Sequence, residues 1–273
     1  MSLLGRIVAR FVLGLSLTRL KVMFHLAPPP FFVDYGWVKL PFTNDGDRQE
    51  LYYHMNCGTY YRHDFPVLAE YLRPGDVVVD VGSNMGFLAA MFASLVGHEG
   101  HVFCFEPSKR SFRKLNLLCS LNDLTQVSAY NVGCSSADSE SLLHTTSHSS
   151  GDNSLVRPAG KGPRRSEAVR LVALDSVIDL HGRDVRLLKI DTEGHEADVL
   201  QGASALLGRC RPVVYIELGR DHLESSKRAV KILASHGYRP VGGSDLDLEN
   251  RDAGTNFVFT NPQGNCHQPA FPV

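Results

Sequence analysis

Val77-Val78-Val79-Asp80-Val81-Gly82-Ser83-Asn84-Met85-Gly86 is the stretch on which the fold turns. An unalternating run of valines, broken only by Asp80, suits a strand buried on both faces of a parallel sheet. The glycines that follow mark the turn from that strand into a helix. Working outward, the pattern predicts a helix over residues 86–96, a strand at His101–Phe105, a helix over 108–121 and a strand over 127–132. Further on come a strand at Val185–Ile190, a helix over 196–207, a strand over 213–216, a helix over 221–235 and a closing strand over 256–260. Strands alternating with helices of ten or more residues imply an α/β fold, Rossmann-like and doubly wound, with helices on both faces of the sheet.

Composition narrows the function classes. Of 273 residues, 21% are charged and 43% apolar, close to soluble globular averages and far from disordered or fibrous chains. Lys and Arg number 28 against 29 Asp and Glu, a net charge of −1. A nucleic-acid carrier would be much more basic, so no nucleic-acid partner is expected. The six cysteines, Cys57, Cys104, Cys119, Cys134, Cys210 and Cys266, show no C-x-x-C spacing, which argues against a zinc site and for reduced thiols in a cytoplasmic protein.

The ends and the middle differ from the rest. Residues 1–49 read as an N-terminal extension. Leu3, Leu4, Ile7, Val8, Phe11, Val12 and Leu15 fall at helical spacing beside Arg6 and Arg10, and Ala27-Pro28-Pro29-Pro30 ends the helix. Such a helix either packs on the main domain or makes peripheral membrane contact through residues 1–27; it is too short in apolar run to span. Residues 50–262 form the main domain and 263–273 a C-terminal tail. Residues 135–167 are serine-rich with little periodicity; they read as a short hairpin around Leu142 and Leu143 followed by a long loop over 147–165, a mobile lid carrying Lys161, Arg164 and Arg165. Oligomeric state is left open.

In an open α/β sheet, ligands bind beyond the carboxyl ends of the strands where strand order reverses. Gly82-x-x-x-Gly86 offers backbone N–H groups to a ligand, but Asn84 stands where a dinucleotide fingerprint has its second glycine. Glu106 ends the second strand, 24 residues after Gly82, and can accept from both hydroxyls of a ribose. NAD and S-adenosylmethionine both satisfy Glu106; the missing glycine disfavours the former.

Together with Phe105-Glu106-Pro107, Leu174-Asp175-Ser176 and Lys189-Ile190-Asp191-Thr192-Glu193-Gly194-His195-Glu196, the opening stretch comes in the order seen in FkbM-type methyltransferases, which the chain resembles over about residues 50–262. The resemblance implies a seven-stranded, mostly parallel sheet with an antiparallel last strand. It also implies S-adenosylmethionine as cofactor, held by Asp80, Gly82, Ser83, Asn84, Gly86 and Glu106, and methylation of a hydroxyl on a sugar, glycolipid or natural product, a small-molecule or glycan acceptor. Gly58-Thr59-Tyr60-Tyr61 departs from the family, which commonly has glutamate after the aromatic.

Methyl transfer to an alcohol needs alignment, exclusion of water and a group to take the proton. Asp191, Glu193 and His195, at and just after the end of the Val185–Ile190 strand, are the candidate catalytic residues, with Glu217 ending the neighbouring strand. Glu196 reads as a helix-start acid favoured by the dipole. Asp191 and Glu217 could hold Mg²⁺, but no metal is expected as a fixed component. The rival readings are an NAD-dependent oxidoreductase and a cofactor-binding interaction protein without turnover.

Overall fold

The computed structural model describes residues 31–264 except 44–46, 48–49, 51–52, 55–64, 146–148, 157–164, 178–182, 243–245 and 250–254. The expected helix within residues 1–27, the tail over 265–273, Tyr60, Tyr61, Lys161 and Arg164 lie outside the described residues.

A seven-stranded sheet carries the fold. Its elements, with their helices, are β3 (Val77–Val81), α1 (Phe87–Val96), β4 (His101–Phe105), α2 (Lys109–Leu121), β5 (Val127–Tyr130), β9 (Val185–Ile190), α4 (Glu196–Gln201), α5 (Ser204–Arg209), β10 (Val213–Leu218), α6 (Leu223–Ser235), β11 (Arg239–Pro240) and β12 (Thr255–Thr260). Strand order is β11-β12-β10-β9-β3-β4-β5. β12 runs antiparallel to β10 and β11, while β5, β4, β3, β9 and β10 are mutually parallel. From β3 the chain first builds outward through β4 and β5, then returns to lay β9 on the other side. The strand order therefore reverses between β3 and β9, and the crevice belongs there.

The two sheet faces explain the continuous valine run. Val79, Val81, Leu188, Ile190, Val214 and Ile216 pack with Val199, Leu200, Leu206, Leu207, Ala229 and Leu233 of the helices on one side. Val78, Leu187 and Val213 pack with Phe87, Met91, Phe92, Leu115 and Leu118 on the other. Each such side chain, fully buried, is worth about 1.5–3 kcal/mol.

Three departures from the sequence reading stand out. Phe31–Asp34 (β1) and Lys39–Phe42 (β2) form an unforeseen antiparallel hairpin, and Lys39 N donates to Asn122 Oδ1 at 2.7 Å to tie it to the end of α2. The single helix over 196–207 is two, broken at Gly202 and Ala203. Asp175, in the short helix α3 (Leu174–Val177), restarts it by accepting from the N–H groups of Ala205 and Leu206 at 2.7 and 2.9 Å. Residues 135–167 are not hairpin and loop alone. Gly133–Cys134 (β6), Ser139–Thr145 (β7) and Arg165–Val172 (β8) form a separate three-stranded sheet in the order β6-β8-β7. Leu142 and Leu143 therefore pair with Ala168 and Glu167 rather than closing a local turn, and Arg165 lies in β8.

Among the described residues, Cys104, Cys119, Cys134 and Cys210 are free thiols, and no helix is long and apolar enough to cross a membrane.

Candidate active site

Register decides which side chains meet. Asp80, Lys189 and Tyr215 stand abreast on β3, β9 and β10, and Ile190 pairs with Ile216. The next residues, Asp191 and Glu217, consequently leave neighbouring parallel strands at one level and share a face with Lys189, two residues back. Lys189 Nζ lies 3.2 Å from Asp80 and 3.6 Å from Asp191, and donates to the Gly82 carbonyl at 2.8 Å. Burial alone would lower the Lys189 pKa; the carboxylates of Asp80 and Asp191 more than offset it, so the ammonium stays charged. Asp191, Glu193 and Glu217 bring three carboxylate oxygens within 4.8 Å of one another. Burial, the charges of Asp191 and Glu193 and a hydrogen bond to Asp191 push the Glu217 carboxyl up to about 9. At neutral pH Glu217 therefore keeps its proton, beside the Asp191 carboxyl to which it is hydrogen-bonded.

The other half of the cleft is the turn after β3. Gly82 has φ 75°, and a Cβ there would lie 1.7 Å from the Asp191 carbonyl oxygen, so the turn and the end of β9 touch backbone to backbone. Asn84 occupies the left-handed region at φ 49°, which asparagine tolerates better than most residues. Its N–H donates to Glu106 Oε2 at 2.9 Å, and Ser108 N–H donates to Glu106 Oε1 at 2.8 Å. Burial pushes Glu106 up to about 7 against those two donors. Asn131 Nδ2 fixes the step after β4 by donating to the carbonyls of Glu106 and Pro107, both at 2.9 Å.

Of the candidate residues, Gly82, Asn84, Glu106, Asp191 and Glu193 line one cleft of about 360 Å³. The other four take different places. Asp80 is fully buried beneath the cleft with Lys189 as its partner. Ser83 turns its hydroxyl back to the Asp80 carbonyl at 2.8 Å, and its N–H donates to Phe105 O at 3.2 Å. Gly86 makes room for α2, since a Cβ would meet Leu115 Cδ1 at 2.4 Å. His195 faces away from the cleft: Nε2 is 2.9 Å from Ser135 Oγ and Nδ1 is 3.7 Å from Asp198, and burial lowers its pKa. Positive φ at Glu193 (53°) and Gly194 (104°) turns the chain there, and His195 stands against Ser135 rather than among the residues that line the cleft. Glu196 does more than greet a helix dipole. Its buried carboxylate accepts from Thr192 Oγ1 at 3.0 Å, Gly194 N at 2.8 Å and Ser225 Oγ at 3.2 Å, and so shapes the loop that carries Asp191 and Glu193.

The sequence reading missed the opposite wall. Leu143, Ser150, Gly151, Asn153 and Leu155 line the cleft beside Tyr53, Tyr215 and Asn256. Tyr53 stacks on Phe87 at a centroid distance of 4.9 Å, and Asn256 pairs with Glu217 across the β10–β12 ladder. Only Asn256 carried a usable signal, as the residue beside a strand-end acid on the closing strand.

A Rossmann-like sheet, a glycine turn at its reversal point, a ribose-height carboxylate and an acid cluster at the next strand end define a nucleotide-cofactor enzyme of the methyltransferase class. The chain belongs to the FkbM methyltransferase family: the family's methyltransferase FkbM domain matches residues 80–240, more than half of the chain. No curated protein matches it closely enough to count as a relative. Among solved structures it is similar to a methyltransferase FkbM from Methylobacillus flagellatus, with 17% identity over 77% of this chain and 52% of that one at a TM-score of 0.47. It is also similar to Aeropyrum pernix fibrillarin in complex with natively bound S-adenosyl-L-methionine, with 14% identity over 73% and 74% of the chains and a TM-score of 0.45. An rRNA methylase from Streptococcus thermophilus shows 16% identity over 74% and 93%, with a TM-score of 0.44. Likeness at that level says nothing of the acceptor. S-adenosylmethionine, the donor that the family implies, fits the residues present. Glu106 sets a carboxylate in the cleft wall, Asn84 Oδ1 is there a buried oxygen without a hydrogen-bond partner among the described residues, and the acid cluster would complement a cationic sulfonium.

Proposed function

We propose that the protein transfers a methyl group from S-adenosylmethionine to a hydroxyl of a small molecule or glycan, such as a sugar, a glycolipid or another natural product. The observation that carries this reading is the convergence of Asp191, Glu193 and Glu217 at the strand ends beside the cofactor turn. When bound, the cofactor supplies the electrophilic methyl group. Glu106 accepts from its ribose hydroxyls, and Asn84 lies beside it. Asp191 takes the proton of the acceptor hydroxyl as general base. Glu217, protonated at neutral pH, donates toward Asp191 and fixes its orientation, while Glu193 adds negative charge at the cleft mouth. Leu143 and Leu155 keep water from the opposite side.

The near-neutral charge of the chain supports a small molecule or glycan over a nucleic acid, and free thiols support a cytoplasmic setting. The test is release of S-adenosylhomocysteine by the purified protein given S-adenosylmethionine and panels of sugars, glycolipids, hydroxylated natural products, amines and RNA. Release should require a hydroxylated small acceptor and vanish in Asp191→Asn; release with only amines or RNA rejects the reading. Turnover should persist in EDTA, as no metal is assigned a step. Its loss would hand the three carboxylates to a divalent cation. If residues 1–27 bind membrane, removing them should abolish sedimentation with anionic liposomes; unchanged sedimentation leaves only packing.

A further inference from the structure

The wall opposite the glycine turn is held by a device that the reaction does not use. Asp47 is 2% exposed, yet it carries a carboxylate with three partners from distant parts of the chain. Its Oδ2 lies 3.2 Å from Lys114 Nζ and 3.9 Å from Arg110 Nη2, both on α2, and its Oδ1 accepts from the backbone N–H of Ser150 at 3.0 Å. Lys114 is shared with Glu50, which in turn accepts from the backbone N–H and, at 2.8 Å, the hydroxyl of Thr43. Among the described residues two acids face two bases, and a buried charge is stable only while so paired.

Ser150 opens the 3₁₀ turn Ser150–Asp152, and from there residues 150–155 run along the cleft. The far end of that segment is tied to the candidate catalytic loop: Ser154 Oγ donates to the Glu193 carbonyl at 2.6 Å, and Ser154 bridges His144 of β7. Between the two ties, Ser150 Oγ and Asn153 Oδ1 are buried polar atoms without a hydrogen-bond partner, and both residues line the cleft. Leaving buried polar atoms unmade is costly. The segment is therefore finished by whatever fills the cleft.

We propose that Asp47 is a positioning residue: through the Ser150 N–H it clasps residues 150–155 over the cofactor cleft, making the segment before the methyltransferase domain part of the wall against which cofactor binds. The clasp acts on affinity rather than on the methyl-transfer step, because Asp47 touches no reacting atom.

The Ser150 N–H can be deleted almost alone. Ser150 is the first residue of its turn, where proline is accepted, and Ser149, with φ −151° and ψ 120°, already has the backbone that a residue before proline prefers. Calorimetric titration with S-adenosylhomocysteine should show Ser150→Pro binding about tenfold more weakly than Ser150→Ala, which keeps the N–H. Asp47→Ala, which removes the acceptor that asparagine would keep, should lose a similar factor in the wild-type background and less than the additive amount on Ser150→Pro, as expected of two ends of one bond. Hydrogen exchange of the Asp47→Ala protein should quicken in peptides spanning residues 149–156 and stay unchanged in β3 and β9. Equal affinity for the Pro and Ala variants, additive losses in the double variant, or unchanged exchange over 149–156 would overturn the proposal. Should Ser150→Pro not fold, Asp47→Ala decides by affinity and exchange together. A wild-type chain that fails to bind S-adenosylhomocysteine removes the cofactor reading, and the exchange arm still decides the clasp.

Discussion

Glu217 keeps a proton at neutral pH and presents it to the Asp191 carboxyl. The strand register forces this pairing, because residues that follow a matched pair in parallel strands emerge side by side. Glu217 is raised above its unfolded range by burial first and the neighbouring acids second. A raised acid binds more protons folded than unfolded, so its contribution is fully present below pH ~4.5 and is lost as pH climbs toward 9. Glu217→Gln should therefore lift the melting temperature relative to wild type, by a margin that grows between pH 5 and pH 9 in calorimetric scans; a margin independent of pH would exclude the retained proton. Asp191→Asn should cut turnover by about 10²- to 10⁴-fold while leaving S-adenosylhomocysteine affinity nearly unchanged, read by steady-state kinetics beside titration. Glu106→Ala should do the converse, weakening that affinity at least tenfold. With Glu106 raised to about 7 by burial, wild-type affinity should also rise as pH passes upward through neutrality, because the ionised carboxylate is the better acceptor for ribose hydroxyls.

At the level of elements, the β3–α1 turn and the loop after β9 depend on each other. Gly82→Ala forces a side chain into the Asp191 carbonyl and strains a positive φ, and should destabilise the fold by more than ~3 kcal/mol or prevent soluble expression. The main sheet was legible because its strands are buried on both faces, and Val77–Val81 reads as buried without any neighbour in view. The small sheet was not. β7 and β8 leave most of their residues exposed or half-buried and bury Leu143, Val169, Leu171 and Val172, so the apolar rhythm that betrays a strand is nearly absent. Asp191, Glu193 and Glu106 were legible as acids at strand ends, where a structural reason for charge is weak. The place of His195 was not legible, because nothing in Glu193-Gly194 announces the sharp reversal that turns its ring to Ser135. Lys189 looked like a plain pairing residue, yet it joins Asp80, Asp191 and the Gly82 carbonyl at one point.

Across the whole molecule, strands from the two halves of the sheet, residues 150–155 and Tyr53, which precedes the matched family domain, surround one cleft. That arrangement predicts linkage: S-adenosylhomocysteine at a hundred times its dissociation constant should stabilise the protein by about 2.7 kcal/mol, visible as a raised melting temperature, and the gain should shrink in Glu106→Ala. The contact between Gly82 and the Asp191 carbonyl has a consequence for how such a molecule can change. The turn proposed to hold the donor and the residue proposed to take the proton share a seam of main chain, so their spacing is fixed by backbone and is indifferent to most side-chain replacement. The facing wall, with Leu143, Asn153 and Leu155, is hung from side-chain tethers at Asp47 and Ser154. New acceptors can be accommodated by rewriting that wall, leaving the aim of the transfer untouched.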